Sequence, residues 1–357
     1  MNNKVFSVEN GVLFNYTGRR SKVDVPSNVT AIANFAFKGN KWAKTVQIPQ
    51  GVVSVRDFAF QDCVALQSVQ LPQNRCALGS HLFQGCIALE NVQLPVDTTE
   101  IATSTFEGCK SLKHVDVPKT VQNIGAFAFA GCTLLNQIQL PVGIKTLGHH
   151  AFHCCFLLKH VVLPHGMEVV GRNAFAGCTM LQSVHIAQTV THLGSDVFYD
   201  CKNLVEVVLP EKLQAISDRL FCRCKNLQTV VLPSQAQCIG NFAFYYCGKL
   251  KQIQLPNGLV SVGDKAFACC GLQQVVLPTL VQTIGNHAFY NCTQLTDVVI
   301  PQSVQTIGEK AFASCTRLGS LRFDGTAEQW SNVQKHSNWA EGILATHVQC
   351  TNGIVEI

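Results

Sequence analysis

The chain repeats one unit, which reads VQTIGNHAFYNCTQLTDVVIP at residues 281–301. The unit contains an Ile-Gly pair, an Ala-Phe pair, a Cys three residues after the Phe and a Leu three residues after the Cys. It ends in a short apolar segment closed by Pro301, which has no backbone N–H and terminates a strand. About thirteen copies occur in the 357 residues, so the repeat determines the architecture.

The strand-ending proline measures the period of the repeat. The spacing is 23 residues in every interval but one, and the interval from Pro256 to Pro278 is 22. Its positions are Pro26, Pro49, Pro72, Pro95, Pro118, Pro141, Pro164, Ala187 in the same slot, Pro210, Pro233, Pro256, Pro278 and Pro301. A fixed period of this length is typical of a solenoid, in which each unit buries its apolar side chains by stacking on its neighbours. The sequence therefore predicts a repeat solenoid.

The end of each unit reads Leu-x-x-Val-x-Leu, a pattern that predicts a short strand with two different faces. In residues 295–300, Val298 and Ile300 are predicted to point inward, and Asp297 and Val299 outward. Stacked copies form a parallel sheet with strands roughly 4.8 Å apart. The Ile-Gly pair predicts a tight corner. The Phe of each unit predicts a row of rings along the core rather than a stacking surface for bases.

Composition narrows the function classes. Only 14% of the residues are charged and 47% are hydrophobic, as expected if most positions of each turn face the core. The net charge of +5 comes from scattered Lys and Arg, whereas a nucleic-acid-binding protein shows a dense basic face. No run of eighteen apolar residues exists, so we expect no membrane span.

The expected location follows from the first residues. Residues 1–14 lack a basic segment followed by an apolar core, so we expect no signal peptide and a cytoplasmic location. A misread start or export route would make secretion or the cell surface the alternative.

Twelve of the eighteen cysteines occupy one slot of the repeat, three residues after the Phe. Asn40 holds this slot in the first unit, so the slot is predicted to tuck a small polar group inward against the backbone. A buried thiol behaves as a small hydrophobe with a weak donor, and disulfide frameworks belong to small secreted domains. We therefore predict a structural ladder of reduced thiols at Cys63, Cys86, Cys109, Cys132, Cys155, Cys178, Cys201, Cys224, Cys247, Cys270, Cys292 and Cys315.

One cluster keeps a metal or redox interpretation open. His150, His153 and Cys154 are close in sequence and would hold a soft metal if they met on one loop. The alternative is that they are exposed side chains at variable loop positions. No Cys-x-x-Cys pair recurs at zinc-like spacing, so we expect no metal and no cofactor.

The two ends depart from the repeat, as a solenoid with exposed core edges requires. Residues 1–22 are predicted to form a hairpin-like cap, because Asn-Gly separates two short apolar runs. Residues 23–323 form the repeat region, and residues 324–357 form the C-terminal cap.

The C-terminal cap is predicted to contain one short helix. Thr326 is the expected N-cap residue of a helix over Ala327–Gln334. Trp330 and Trp339 are interpreted as plugs for the end of the core, with a carbohydrate platform as the alternative.

The unit LPxxVxxIGxxAFxxCxxLxxVxL resembles the BspA-like leucine-rich repeat over residues 23–323. The ends also resemble that family, in the segments ENGVLFNYTG (9–18), FDGTAEQW (323–330) and CTNG (350–353). The resemblance implies a curved right-handed solenoid with a parallel sheet on its concave side and short strands and turns on the other. It also implies protein recognition, with some members acting as surface adhesins of bacteria and mucosal protists, and it offers no catalytic residues.

The outward positions of the strands suggest where a partner would bind. They are mostly Gln in the first half of the chain and rich in Val in the second half, and an apolar patch with a polar rim marks an interaction site. The alternative is that Val simply suits a strand. The candidate partner-binding residues on the concave face are Val162, His185, Val205, Glu206, Val208, Val231, Val276 and Val299.

These observations favour a non-catalytic scaffold that binds a partner protein of unknown identity, as a monomer. The sequence lacks a Gly-rich phosphate loop, a nucleophile elbow and a carboxylate pair at fixed spacing, so we expect no enzyme. A surface adhesin and a thiol-based metal-binding or redox-responsive protein are the two alternatives.

Overall fold

The computed structural model describes residues 5–357, so the first four residues of the predicted N-terminal cap lie outside the described residues. The chain divides into two compact units, of which the first ends at Leu181 and the second spans Gln182–Ile357. Within the repeat region of each unit, parallel strands pair with strands 22 or 23 residues away along the chain, as Thr45 does with Ser68 and Ser261 with Thr283. This pairing confirms the repeat solenoid predicted from the period.

Each turn contributes up to two strands. The wide strand has three or four residues and lies in the Leu-x-x-Val-x-Leu segment, whereas the narrow strand has two residues and ends on the apolar residue before the Gly slot. In the first unit the wide strands are Lys22–Asp24, Thr45–Gln47, Ser68–Gln70, Asn91–Gln93 and His160–Leu163. The narrow strands are Ala31–Ile32, Ser54–Val55, Ala77–Leu78, Glu100–Ile101, Asn123–Ile124, Thr146–Leu147 and Val169–Val170.

The second unit repeats this arrangement and ends in an antiparallel pair, His347–Cys350 with Gly353–Glu356. Its other wide strands are Ser183–Ile186, Glu206–Val208, Thr229–Val231, Gln274–Val276, Asp297–Ile300 and Ser320–Phe323. Its narrow strands are His192–Leu193, Ala215–Ile216, Cys238–Ile239, Ser261–Val262, Thr283–Ile284, Thr306–Ile307 and Gln334–Lys335.

The wide strands have one buried and one exposed face, as the alternating pattern predicts. In Glu206–Val208 the middle residue Val207 is buried and its two neighbours are exposed. The same order holds in Thr229–Val231 and in Gln274–Val276. We call the exposed side of these strands the wide face.

The Gly that follows most of the narrow strands is explained by close approach of two turns. A Cβ atom added at Gly125 would lie 2.6 Å from the backbone nitrogen of Thr103 in the preceding turn. Positive φ angles occur elsewhere, two residues before the core Phe and one residue before the ladder Cys, as at Phe127 and Gly131. The corner therefore favours Gly for space rather than for backbone conformation.

The core is organised around stacked phenylalanine rings. Phe152 is fully buried, and its ring centroid lies 5.1 Å from that of Phe129 and 5.3 Å from that of Phe175. In the second unit, Phe267 and Phe289 stack at 5.3 Å. Near-parallel rings at this separation add a favourable aromatic contact to the apolar area they bury.

The N-terminal segment forms the predicted hairpin. Phe6–Glu9 pairs antiparallel with Val12–Tyr16, and Asn10 and Gly11 form the turn with positive φ angles. Two consecutive positive φ angles match the turn that joins tightly linked strands. The hairpin joins the narrow strands of the repeat, because Val12–Tyr16 pairs parallel with Ala31–Ile32.

The C-terminal helix begins where the sequence predicts and ends earlier. Thr326 is the N-cap of Ala327–Asn332, with a capping box completed by Gln329. The prediction that the helix reaches Gln334 is wrong, because Gln334–Lys335 pairs as a narrow strand with Thr306–Ile307.

The Trp residues lie at the end of the aromatic core. Trp330 is buried and contacts both Phe323 and Trp339, at centroid distances of 5.1 and 5.7 Å. Trp339 meets the ring of Phe312 edge-on at 6.2 Å. Together they cover the last rings of the second unit.

Candidate functional site

Four outward valines lie on the wide face of the second unit. Val208 and Val231 are register partners on adjacent parallel strands, and so are Val276 and Val299. The exposed fractions are 54% for Val208, 46% for Val231 and 66% for Val276, whereas Val299 is half-buried. We call these four residues the valine face. Such exposure removes them from the core and leaves their methyl groups available for contact.

The remaining candidate residues are distributed over both units. His185 and Glu206 are exposed on wide strands of the second unit, and Val205 is exposed at the start of the strand Glu206–Val208. Val162 is 58% exposed, but it lies on a wide strand of the first unit. The second unit therefore holds a patch formed by the valine face with His185, Val205 and Glu206 at its edge.

The wide sheet of the second unit is interrupted in the middle of the valine face. Thr229–Val231 pairs with Glu206–Val208, and Gln274–Val276 pairs with Asp297–Ile300. The intervening segment 252–254 has the same sequence pattern but forms no strand. Within residues 5–357, its three N–H groups donate no hydrogen bond to another backbone group. The sequence pattern predicts a strand here, so this part of the expectation is wrong.

The break opens a groove of about 890 Å³. Glutamine amides line it at Gln228, Gln252, Gln254 and Gln274, beside the apolar side chains of Val231, Ile253 and Val276 and the rings of Pro256 and Pro278. No Asp, Glu, Lys or Arg lines the groove. The site is therefore neutral and presents amides, methyl groups and peptide backbone.

Two sequence features coincide with the break. Ile253 occupies the inward slot that Val230 and Val275 fill in the neighbouring turns, and it is half-buried where they are buried. The following turn is one residue shorter, and at Gly271 a Cβ atom would collide with the backbone oxygen of Gly248. A larger side chain in an inward slot can shift the backbone, although Leu321 occupies the same slot in the paired strand Ser320–Phe323.

The wide face of the first unit has a different surface. Gln47 and Gln70 are register partners, and Gln70 is the register partner of Gln93. A shallower hollow of about 380 Å³ lies over these strands and includes Lys22. Segments 114–116 and 137–139 form no strand in this unit, and Ile138 lies in one of them.

The ladder cysteines are buried and bound to the backbone. Their thiols donate hydrogen bonds of 3.0–3.2 Å to Phe carbonyl oxygens of the preceding turn, as Cys178 does to Phe152. Asn40 fills the same slot and donates to the carbonyl oxygen of Gly18 at 3.0 Å. Burial raises the pKa of the thiols of Cys132 and Cys178. This geometry favours a structural role for un-ionised thiols.

The candidate metal cluster is only partly assembled. The Sγ atom of Cys154 lies 3.3 Å from Nε2 of His153, and the rings of His150 and His153 meet edge-on at 5.3 Å. Burial lowers the pKa of His153, which favours the neutral ring. A search of residues 5–357 finds no group of three His, Cys, Asp or Glu residues that could hold a metal ion. The geometry gives no support to a metal site.

A second row of aromatic rings lies on the surface, and the sequence pattern did not predict it. Phe35 and Phe58 stack at 5.0 Å, and Phe58 and His81 stack at 4.4 Å. Phe35 is 46% exposed and carries the Lys38 ammonium group 5.0 Å above its ring. This slot, two residues before the core Phe, varies in residue type, so no constant letter identified it.

The repeat and its geometry agree with one known family. A family model described as the BspA type leucine-rich repeat region matches residues 10–126, 99–228 and 214–334. The chain belongs to this BspA-type leucine-rich repeat family. Within the described residues 5–357, this BspA-type protein has no helix long and apolar enough to cross a membrane. A search of curated proteins returned no match.

Solved structures of other leucine-rich repeat proteins share the fold of this BspA-type protein. A leucine-rich repeat protein from Bacteroides ovatus is 26% identical, with a TM-score of 0.65 over 90% of this chain and 83% of that one. A leucine-rich cell surface protein from Faecalibacterium prausnitzii is 24% identical, with a TM-score of 0.56 over 91% and 93%. The pneumococcal vaccine antigen PcpA is 17% identical, with a TM-score of 0.53 over 97% of both chains. The last two likenesses show the fold alone.

Proposed function

We propose that this BspA-type repeat protein is a non-catalytic scaffold that binds a partner protein through the wide face of its second unit. The observation that carries the proposal is the valine face, where Val208, Val231 and Val276 expose about half or more of their surface on the two sheets that flank segment 252–254. Apolar side chains grouped on an otherwise polar surface mark an interaction site. Their removal from water on binding is favourable.

A protein partner fits this surface better than an ionic ligand. The groove within the valine face has no charged side chain in its lining, so it offers no counter-charge for a phosphate or a carboxylate. The hydroxyl groups of Thr229 and Ser234 are the candidate nucleophiles in its lining, and no His lines the groove to act as a base. The Glu211 carboxylate accepts from both the backbone N–H and the hydroxyl of Ser234, at 2.8 and 2.9 Å. It thereby makes the same turn-to-turn bond to backbone that the Gln188 side chain makes to the Glu211 N–H. These features support binding rather than catalysis.

Paired substitutions test the proposal. The variant with both Val208→Glu and Val231→Glu places two carboxylates on the exposed side of adjacent strands, where folding does not require Val. Val142→Glu is the matched control, because Val142 is 76% exposed in a turn outside the wide face. Each protein is immobilised and exposed to extract of the cells that produce it.

We expect wild type and the Val142→Glu control to retain the same partner and the double variant to lose it. Circular dichroism establishes that all three proteins are folded. Equal retention by the double variant would show that the partner binds elsewhere.

A surface-displayed adhesin is the second candidate for the same face. The observation that favours it is that one protein of similar fold is named as a leucine-rich cell surface protein. A count of free thiols distinguishes an intracellular scaffold from an exported adhesin. The thiols are counted by alkylation and mass spectrometry on protein from its native cell. Near eighteen free thiols would support a reducing compartment, whereas numerous disulfides would support export.

A further inference from the structure

The groove in the valine face has the features of a site for a polypeptide backbone. Segment 252–254 lies between two wide strands that each have a paired neighbour on the other side only. In the regular part of the sheet, Leu209 N–H donates to the Val231 carbonyl at 3.0 Å, and Leu277 N–H donates to the Val299 carbonyl at 3.0 Å. Within the described chain, the equivalent bonds on either side of segment 252–254 are not formed.

The peptide N–H and C=O groups that form no backbone hydrogen bond here are available to pair with another chain. Peptide N–H and C=O groups are obligatory hydrogen-bonding groups, and a strand edge is a template for pairing with another chain. The unpaired groups lie along the free sides of Thr229–Val231 and Gln274–Val276 and on segment 252–254 between them. An occupant with its own regular row of donors and acceptors matches this arrangement.

The lining restricts the chemistry of that occupant. The side-chain amides of four glutamines can form hydrogen bonds with peptide groups or neutral polar side chains of an occupant. Val231, Ile253 and Val276 offer apolar surface beside them. Because the groove has no charged lining residue, an ionised side chain that entered it would lose its hydration without gaining an ion pair, which costs binding free energy. An extended segment with apolar or β-branched residues at alternate positions, no proline and no charge satisfies both conditions.

We propose that the groove between Thr229–Val231 and Gln274–Val276 binds an uncharged, extended segment of the partner protein by backbone hydrogen bonding. This inference rests on the proposed function, because it specifies the part of the partner that the wide face recognises. Main-chain bonds supply affinity in this mode of recognition, and alternate side chains supply specificity.

Selection from random peptides tests the inference. A phage-displayed library of random short peptides is selected on the full-length protein, with a soluble Val231→Glu, Val276→Glu double variant as competitor so that only groove-dependent binders are kept. Synthetic copies of the enriched peptides are then measured by fluorescence anisotropy against wild type, the double variant and the Val142→Glu control.

We expect the enriched peptides to be uncharged, free of proline and apolar at alternate positions. N-methylation of an amide that faces the groove should weaken binding to unaltered protein by about tenfold, since it removes one hydrogen bond. N-methylation of an amide beyond either end of the bound segment should change affinity little. This comparison uses wild-type protein, so it does not depend on the folding of a variant.

Several results would overturn the inference. These are the absence of enriched peptides, enrichment of charged or proline-rich peptides, and tolerance of N-methylation at every position. A neutral oligosaccharide that binds wild type but not the groove variant would identify another occupant. Self-association lost in the groove variant would identify a second copy. Val208 lies outside the groove lining, so partner contact at Val208 can persist and uphold the proposed function when the groove inference fails.

Discussion

Val208 and Val231 are register partners on adjacent parallel strands and both side chains face solvent, whereas the preceding residues Val207 and Val230 face the core. The repeat therefore separates two roles within one strand. The inward residue holds the turn, and the outward residues are free to vary without unfolding the protein. Recognition and stability can accordingly be tested with different substitutions.

The buried and exposed aromatic rows should differ in their contribution to stability. Phe152→Ala removes a fully buried ring stacked between two others and should lower the free energy of unfolding by about 3–5 kcal/mol. Phe127→Ala removes a 36% exposed ring and should cost at most about 1 kcal/mol. Urea unfolding of both variants measures the difference, and equal losses would contradict the assignment of Phe152 to the core.

The thiol ladder should make stability fall at high pH. Burial raises the pKa of Cys132 and Cys178 in the folded state above the ordinary value of 9.0. Their contribution is therefore fully present below pH 9.0 and is lost above it, since the unfolded chain releases thiol protons that the folded chain retains.

Urea unfolding at about pH 8 and about pH 10 tests this linkage. The midpoint should be lower at the higher pH, and Cys178→Ala should reduce that difference because it removes one buried thiol. If the urea midpoints of the Cys178→Ala variant differ between the two pH values as much as those of wild type, Cys178 does not contribute to the pH dependence.

The C-terminal helix should depend on its cap. Thr326 accepts a hydrogen bond from the Gln329 N–H at 3.2 Å, so Thr326→Ala should lower stability by about 1 kcal/mol. Thr326→Ser keeps the hydroxyl and is the matched control. Hydrogen exchange at Gln329 reports the effect, and protection that survives the Ala substitution would refute the role of the side chain.

The break in the wide sheet should respond to the size of one inward side chain. Ile253→Val removes the additional methylene and should allow segment 252–254 to pair, slowing its hydrogen exchange and narrowing the groove. Ile138→Val is the matched change in the first unit, where 137–139 is also unpaired. Unchanged exchange in Ile253→Val would assign the break to the shorter turn at Gly271 instead.

The regular features of this protein could be predicted from sequence because each depends on a constant letter at a fixed spacing. The inward Val, the ladder Cys and the core Phe are of this kind, and so is the exposure of Val208. The break at segment 252–254 was not predictable, because the segment keeps the same pattern as its neighbours. Inward residue type does not separate the two cases, since Val115 lies in an unpaired segment and Leu321 lies in a paired strand. The row containing Phe35 was missed because its slot accepts Phe, His, Ser, Asn and charged residues.

Helix length in the C-terminal cap shows the same limit. Thr326 and Gln329 identify the start of the helix through a local capping box. Its end at Asn332 depends on pairing of Gln334–Lys335 with a strand from the preceding turn. That competition is set by tertiary structure and has no local signal.

Site-specific photo-crosslinking tests the central claim most directly. A photo-reactive phenylalanine analogue replaces Val208 in the full-length protein, inside the cells that produce it, and Val142 is replaced in the control. We predict that the probe at Val208 crosslinks one protein partner, identified by mass spectrometry, and that the probe at Val142 does not. No crosslinked partner from Val208, or the same partner from both positions, would contradict recognition through the valine face.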